Sequence, residues 1–132
     1  IYSGSAAKTL RVVLTEEGVW TFKDSTKTAY DVSSTSVASA GSAVQIDAYA
    51  VASYTSAKYL VQVTQGSGNV QLMEALVTTD GSTAYISTYG VVDTNGAMGT
   101  LTAGVTSGEV RLYYTSTTLT SNTVKVSATY MV

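Results

Sequence analysis

Carboxylates are the side chains with the most chemistry to offer in this sequence. Histidine and cysteine are absent, so no Ser-His-Asp or Cys-His relay can be assembled, and no zinc site of imidazoles and thiolates. Two carboxylates alone would suffice for glycoside hydrolysis, one protonated as the acid and one ionised as base or nucleophile. Asp47, Glu74, Asp80, Asp93 and Glu109 are the candidates. Asp80, Asp93 and Glu109 stand at or near turn signals, where a carboxylate ordinarily caps its own backbone or meets water. Glu74 differs, because it sits in mid-strand among Leu72, Met73, Leu76 and Val77. A half-buried carboxylate needs a cation or hydrogen-bond donors, and Arg111, in the middle of EVRLYY, is the expected partner for a structural ion pair. Calcium could use Asp80 with loop carbonyls and a second acid, but no D-x-D-x-D-G loop occurs. The glycine-rich GSGN at 66–69 has no lysine and does not precede a helix, so it reads as a hairpin turn and not a phosphate cradle. The expectation is a protein with no catalytic residues, no metal and no cofactor.

Tyrosine is the other conspicuous residue, with ten copies. Paired rings strengthen adjacent strands, and exposed rings suit protein interfaces and sugar surfaces. Most are expected in or beside the core. Tyr49, Tyr85, Tyr89 and Tyr113 are the candidates for interface or glycan contact. In YY at 113–114 one ring must lie on each face of its strand.

The elements that would position these groups show period-two alternation. Leu10, Val12 and Leu14 share one face, as do Trp20 and Phe22; turns are expected at Glu16–Gly18 and Asp24–Lys27, making an N-terminal meander that ends in TAYDV. Residues 33–42, SSTSVASAGS, read as a connection. Beyond it Val44, Ile46, Ala48 and Ala50 take one face and Gln45, Asp47 and Tyr49 the other. Tyr59, Val61 and Val63 alternate in the same way, and VQLMEALVTT is apolar on both faces, as for a strand covered on both sides. Asp80-Gly81 and Asn95-Gly96 are hairpin signals. Val110, Leu112 and Tyr114 share a face, as do Val124, Val126, Ala128, Tyr130 and Val132. Strands recur about every ten residues with turns between them, which predicts an all-β fold. The specific expectation is a single antiparallel β-sandwich, jelly-roll-like or Ig-like, with about eight or nine strands over residues 1–132. Residues 1–41 would supply the N-terminal strands and the Ser-rich connection, a part expected to bear on docking.

Composition narrows the partners. Charged residues make up 12% of the chain, about half the usual ~25%, so little repulsion keeps copies apart. A net charge of -2, with basic residues scattered singly from Lys8 to Lys125, leaves no footprint for nucleic acid. No apolar run approaches the ~20 residues of a membrane-spanning helix. Proline is absent, which removes one common protection of edge strands. The chain begins at Ile1 without a methionine, as processing or trimming would leave it.

Four stretches in order, SAKYLVQVT (56–64), MEALVTTDGSTAYISTYG (73–90), GEVRLYYT (108–115) and TVKVSATYMV (123–132), resemble a group of virion structural proteins of tailed phages, especially those of marine and cyanobacterial hosts. The shared pattern is SAKYLVQV, then E-x-L-V-x-x-D-G-x-x-A-Y-x-x-x-Y-G, then G-x-V-R-L and a valine-rich terminal strand. The resemblance spans roughly Gln45 to Val132 and implies a β-rich particle component, such as a capsid decoration, neck or tail-associated protein. It brings no catalytic residues. Partners would be further copies of the chain, other virion proteins and host surface glycans, and the location would be the virion. A secreted β-sandwich polymerising into a cell-surface filament or pilus, and a receptor- or carbohydrate-binding module, are the competing readings.

Overall fold

The computed structural model describes residues 11–14, 20–23, 28–38, 40–66, 68–118 and 120–132, with side chains from Ala29 onward. The turns expected at Glu16–Gly18 and Asp24–Lys27, Leu10, and the side chains of Val12, Leu14, Trp20 and Phe22 lie outside the described residues. Ten strands and no helix are present among those described: β1 (Arg11–Leu14), β2 (Trp20–Lys23), β3 (Thr28–Val37), β4 (Val44–Ala50), β5 (Ser56–Gln65), β6 (Val70–Thr79), β7 (Ala84–Asp93), β8 (Gly99–Thr106), β9 (Glu109–Ser116) and β10 (Asn122–Met131). They form a seven-stranded sheet in the order β1-β2-β3-β10-β5-β6-β7 and a three-stranded sheet in the order β4-β9-β8. Every pairing is antiparallel. The all-β sandwich is as the alternation predicted, and β1-β2-β3 is the expected meander.

The core fills the space between the sheets. Tyr59, Val61 and Val63 of β5, Met73, Ala75 and Val77 of β6, and Val124, Val126, Ala128 and Tyr130 of β10 point inward from the large sheet. Val110, Leu112 and Tyr114 of β9 meet them from the small sheet. Register places Val61 between Val126 and Met73, so three inward side chains form one row. Each fully buried aliphatic side chain of this kind contributes about 1.5–3 kcal/mol.

Turn chemistry fixes the hairpins. Ser107 and Gly108 join β8 to β9 with φ of 53° and 78°, the two successive left-handed residues of a two-residue hairpin. Gly81, after Asp80, has a φ of 97° in the β6–β7 hairpin. Asn95-Gly96 does not make the hairpin its sequence suggested: β7 and β8 belong to different sheets, and this turn carries the chain across the sandwich.

Three local expectations change. Ser33–Val37 is strand and not connection, because β3 continues through SSTSV in register with β10 as far as Val37 opposite Asn122. Its short hydroxyl side chains carry little hydrophobic signal, and backbone pairing alone extends the strand. In β4 the register against β9 slips between Gln45, opposite Tyr113, and Asp47, opposite Leu112. Ile46 is the extra residue of a β-bulge, which reverses every later side chain. Asp47 and Tyr49 therefore turn inward and are buried, while Ala50 faces out. A second bulge interrupts β6–β7 between Glu74, opposite Tyr89, and Leu72, opposite Val92. Gly90, at φ 59°, supplies its left-handed residue.

Candidate functional site

Four of the acids proposed for chemistry, Asp80, Asp93, Glu109 and Glu74, are each engaged by near neighbours. Asp80 Oδ1 accepts from the N–H groups of Ser82 and Thr83, at 2.9 and 2.8 Å, and from the Ser82 hydroxyl. Its Oδ2 accepts from the Tyr85 hydroxyl at 3.2 Å. These donors, the Ser82 and Thr83 amides first, hold the carboxyl down at about 2. Asp93 Oδ1 accepts from the Gly96 N–H at 2.6 Å, closing its own turn. Glu109 receives the Arg111 guanidinium at 3.0 Å.

The Glu74–Arg111 pair is not formed. Glu74 lies on the outer face of the large sheet and Arg111 on the outer face of the small one, with the core between them. Glu74 instead meets Lys58 of β5 at 3.5 Å, a diagonal neighbour on the same face. Among the described residues no group of three or more acids could hold a metal ion.

The four candidate tyrosines do not share a surface. Tyr49 is turned inward by the β4 bulge and buried, its ring 5.4 Å from that of Tyr130, so it does not form part of the exposed surface. Tyr113 lies on the outer face of the small sheet, opposite Gln45 and Thr102. Tyr85 and Tyr89 are exposed on the other side of the molecule, on β7.

That other side carries the most unusual feature of the surface. The rows of the large sheet run Val32–Ser127–Leu60–Glu74–Tyr89 and, next to it, Tyr30–Thr129–Lys58–Leu76–Ser87. Val32 is 73% exposed, Leu60 41% and Leu76 49%. Met131 and Tyr85 extend the apolar band toward one end of the sheet, where an open, mostly apolar groove of about 440 Å³ runs between Ser56, Leu76, Tyr85 and Met131. Single exposed hydrophobic residues need no explanation, but Val32 and Leu60 line one groove across Ser127 and Leu76 and Met131 line another, and apolar residues grouped in this way mark contact surfaces. The Lys58–Glu74 pair sits inside the band and neutralises its own charges. Partial desolvation, and then the neighbouring Glu74, push the Tyr89 phenol up from its ordinary value. A face of this kind can bury apolar area against another surface.

The pattern E-x-L-V-x-x-D-G-x-x-A-Y-x-x-x-Y-G describes this hairpin. Glu74 stands opposite Tyr89, Val77 and Ala84 pack at the core, Asp80 caps the turn and takes the Tyr85 hydroxyl, and Gly90 makes the bulge. Leu76 is the exception, since it points away from the core. The outward leucines were legible as the second apolar face of VQLMEALVTT, but nothing within the described chain covers them.

No family model matches the sequence, and no curated protein matches it. Among solved structures, the tailspike gp49 of Acinetobacter baumannii bacteriophage Fri1, described as a capsular polysaccharide depolymerase, is similar over 86% of this chain and 21% of its own, with 11% identity and a TM-score of 0.44. The tailspike of Acinetobacter baumannii phage AM24 is similar over 79% of this chain and 26% of its own, at 11% identity and a TM-score of 0.42. For the tailspike of Acinetobacter phage vB_ApiP_P1 the values are 100% and 25%, at 16% identity and a TM-score of 0.47. The chain thus spans a fifth to a quarter of the length of these tailspikes.

Proposed function

We propose that this chain is a non-enzymatic structural subunit of a tailed-phage particle, a capsid-decoration, neck or tail-associated component of the marine and cyanobacterial type that its motifs resemble. It works by laying the outer face of its seven-stranded sheet against a neighbouring virion subunit. The observation that carries the assembly reading is the clustering of the exposed apolar residues Val32, Leu60, Leu76 and Met131 with Tyr30, Tyr85 and Tyr89 on one sheet face, interspersed with short polar side chains and the Lys58–Glu74 pair. Covering it removes apolar area from water at about 25 cal/mol per Å², and a stable contact needs on the order of 1,000 Å² in total. The virion assignment is supported by the order and spacing of the four motif stretches between Ser56 and Val132. The non-enzymatic reading is supported by the engagement of Asp80, Asp93, Glu74 and Glu109 in turns and ion pairs.

Immunogold labelling of purified particles and of host cells, with antibody raised against this chain, tests the location. Gold on the particle is expected. Gold confined to cell-surface filaments would instead favour the secreted filament subunit. Hydrolysis of a capsular polysaccharide by the purified chain would overturn the non-enzymatic reading.

A further inference from the structure

The β4 bulge places a carboxyl group where unbroken alternation would place a methyl. Asp47 is turned between the sheets and is only 8% exposed. There the hydroxyl of Tyr130, on β10, lies 2.7 Å from Asp47 Oδ2. The same hydroxyl lies 3.4 Å from Oδ2 of Asp31, on β3. A phenol has one proton to donate, so it cannot serve two carboxylates together.

Nothing else that lines this space resolves the conflict. From β5, the Tyr59 hydroxyl faces Asp47 as a second, more distant donor that favours its ionised form, although it makes no hydrogen bond of normal geometry, and the Tyr49 hydroxyl on β4 is buried without a partner. Tyr54 completes the aromatic wall, its ring 5.3 Å from that of Tyr130. From β9, Leu112 stands opposite Asp47, while Arg111 points to the other side and holds Glu109. Ser33 of β3 donates to the Ile46 carbonyl at 3.1 Å, bridging the two sheets beside the bulge. Among the described residues no lysine or arginine forms an ion pair with Asp31 or Asp47.

We propose that Asp47 takes up a proton and is linked through the Tyr130 hydroxyl to Asp31, and that this proton makes the joint between β4 and the large sheet pH-dependent. With the proton present, Asp47 donates to the Tyr130 oxygen and Tyr130 donates to the Asp31 carboxylate. When the proton leaves to solvent, the Tyr130 hydroxyl turns to Asp47, beside the Tyr59 hydroxyl, and two carboxylates face one another across the Tyr130 hydroxyl. The second arrangement buries an ion at a cost, and the joint loosens. Burial raises the Asp47 carboxyl from 3.8 to about 6; the Tyr130 and Tyr59 hydroxyls oppose the rise, and the Asp31 charge adds to it. The folded value lies above the unfolded one, so this contribution to stability is complete below about pH 4 and is lost as the pH rises through about 6.

Urea unfolding and NMR titration of the Asp47 carboxyl carbon test this together. The urea midpoint is expected to fall by roughly 1 M between about pH 4.5 and about pH 7.5, and in Asp47→Asn the midpoint should be the same at both. Asp31→Asn should lower the Asp47 titration midpoint, and Tyr130→Phe, which keeps the ring, should raise it. Amides of β4 should exchange faster at the higher pH than those of β5, after correction for intrinsic rates. If Asp47 titrates in the ordinary carboxylate range, if Asp31→Asn leaves its midpoint in place, if Asp47→Asn keeps the slope, or if β4 keeps its protection relative to β5, the proposal fails. The NMR titration of the unmutated chain decides even where Asp47→Asn does not fold.

Discussion

Gly99→Ala is expected to lower stability by about 3 kcal/mol, and Gly99→Val by more, at the high end of overpacking effects. Gly99 opens β8 opposite Ser116 of β9 and is buried. A Cβ there would stand 2.5 Å from the Cζ and hydroxyl oxygen of Tyr114, and closer still to the carbonyl oxygen of Thr115. Neither obstacle can retreat. Thr115 is held in the β8–β9 ladder opposite Thr100. The Tyr114 ring is fully buried, and its hydroxyl donates to the Met98 carbonyl at 2.8 Å. A loss of that size is a large fraction of the ~5–15 kcal/mol available to a domain. Gly104, in the same strand, has no atom within 4 Å of the equivalent position. Gly104→Ala should therefore leave the urea midpoint unchanged or slightly raised. Equal losses at both glycines would show that strand backbone, and not the Tyr114 ring, sets the requirement.

Leu60→Lys combined with Leu76→Lys is expected to do the opposite. The two leucines are diagonal neighbours on β5 and β6, and both stand on the outer face of the large sheet. Outside the core, such changes cost within about 0.5 kcal/mol of folding stability, so the melting temperature should barely move. Assembly should collapse, because the added charges would have to be desolvated in the contact. At 1.4 kcal/mol per tenfold in affinity, loss of two central apolar anchors amounts to a hundredfold or more. The measurement is the fraction of variant chain recovered in purified particles, with Tyr113→Ala on the opposite face as the comparison that should incorporate normally. Full incorporation of the leucine double variant would move the contact surface elsewhere.

Much of this fold was written in period two. Tyr59, Val61 and Val63, or Val110, Leu112 and Tyr114, could be assigned to the interior from alternation alone, because a strand with one covered face has no other way to arrange them. Asp80-Gly81 announced its hairpin because the turn is made by those residues themselves. The failures are all cases where a distant partner decides. The slip at Ile46 exists only relative to β9, and it carried Asp47 and Tyr49 from the surface to the core. Ser33–Val37 is strand because β10 pairs with it. Glu74 and Arg111 looked complementary, but sequence does not say which strand joins which sheet, and they lie on opposite sides of the sandwich. Gly99 gave no signal, since the ring that excludes a side chain there is fifteen positions away along the chain. The candidate surface was half visible: Leu72 and Leu76 showed that β6 has a second apolar face, while what covers that face is not encoded locally.

A cryo-EM map of the phage particle proposed to carry this chain, at a resolution that shows side chains, is the most direct test of assembly through the large sheet. The expected result is a neighbouring subunit seated over Val32, Leu60 and Leu76, with the Lys58–Glu74 pair enclosed in the contact. A map in which those side chains face open solvent, and the neighbour instead meets Tyr113 and Arg111, would contradict it.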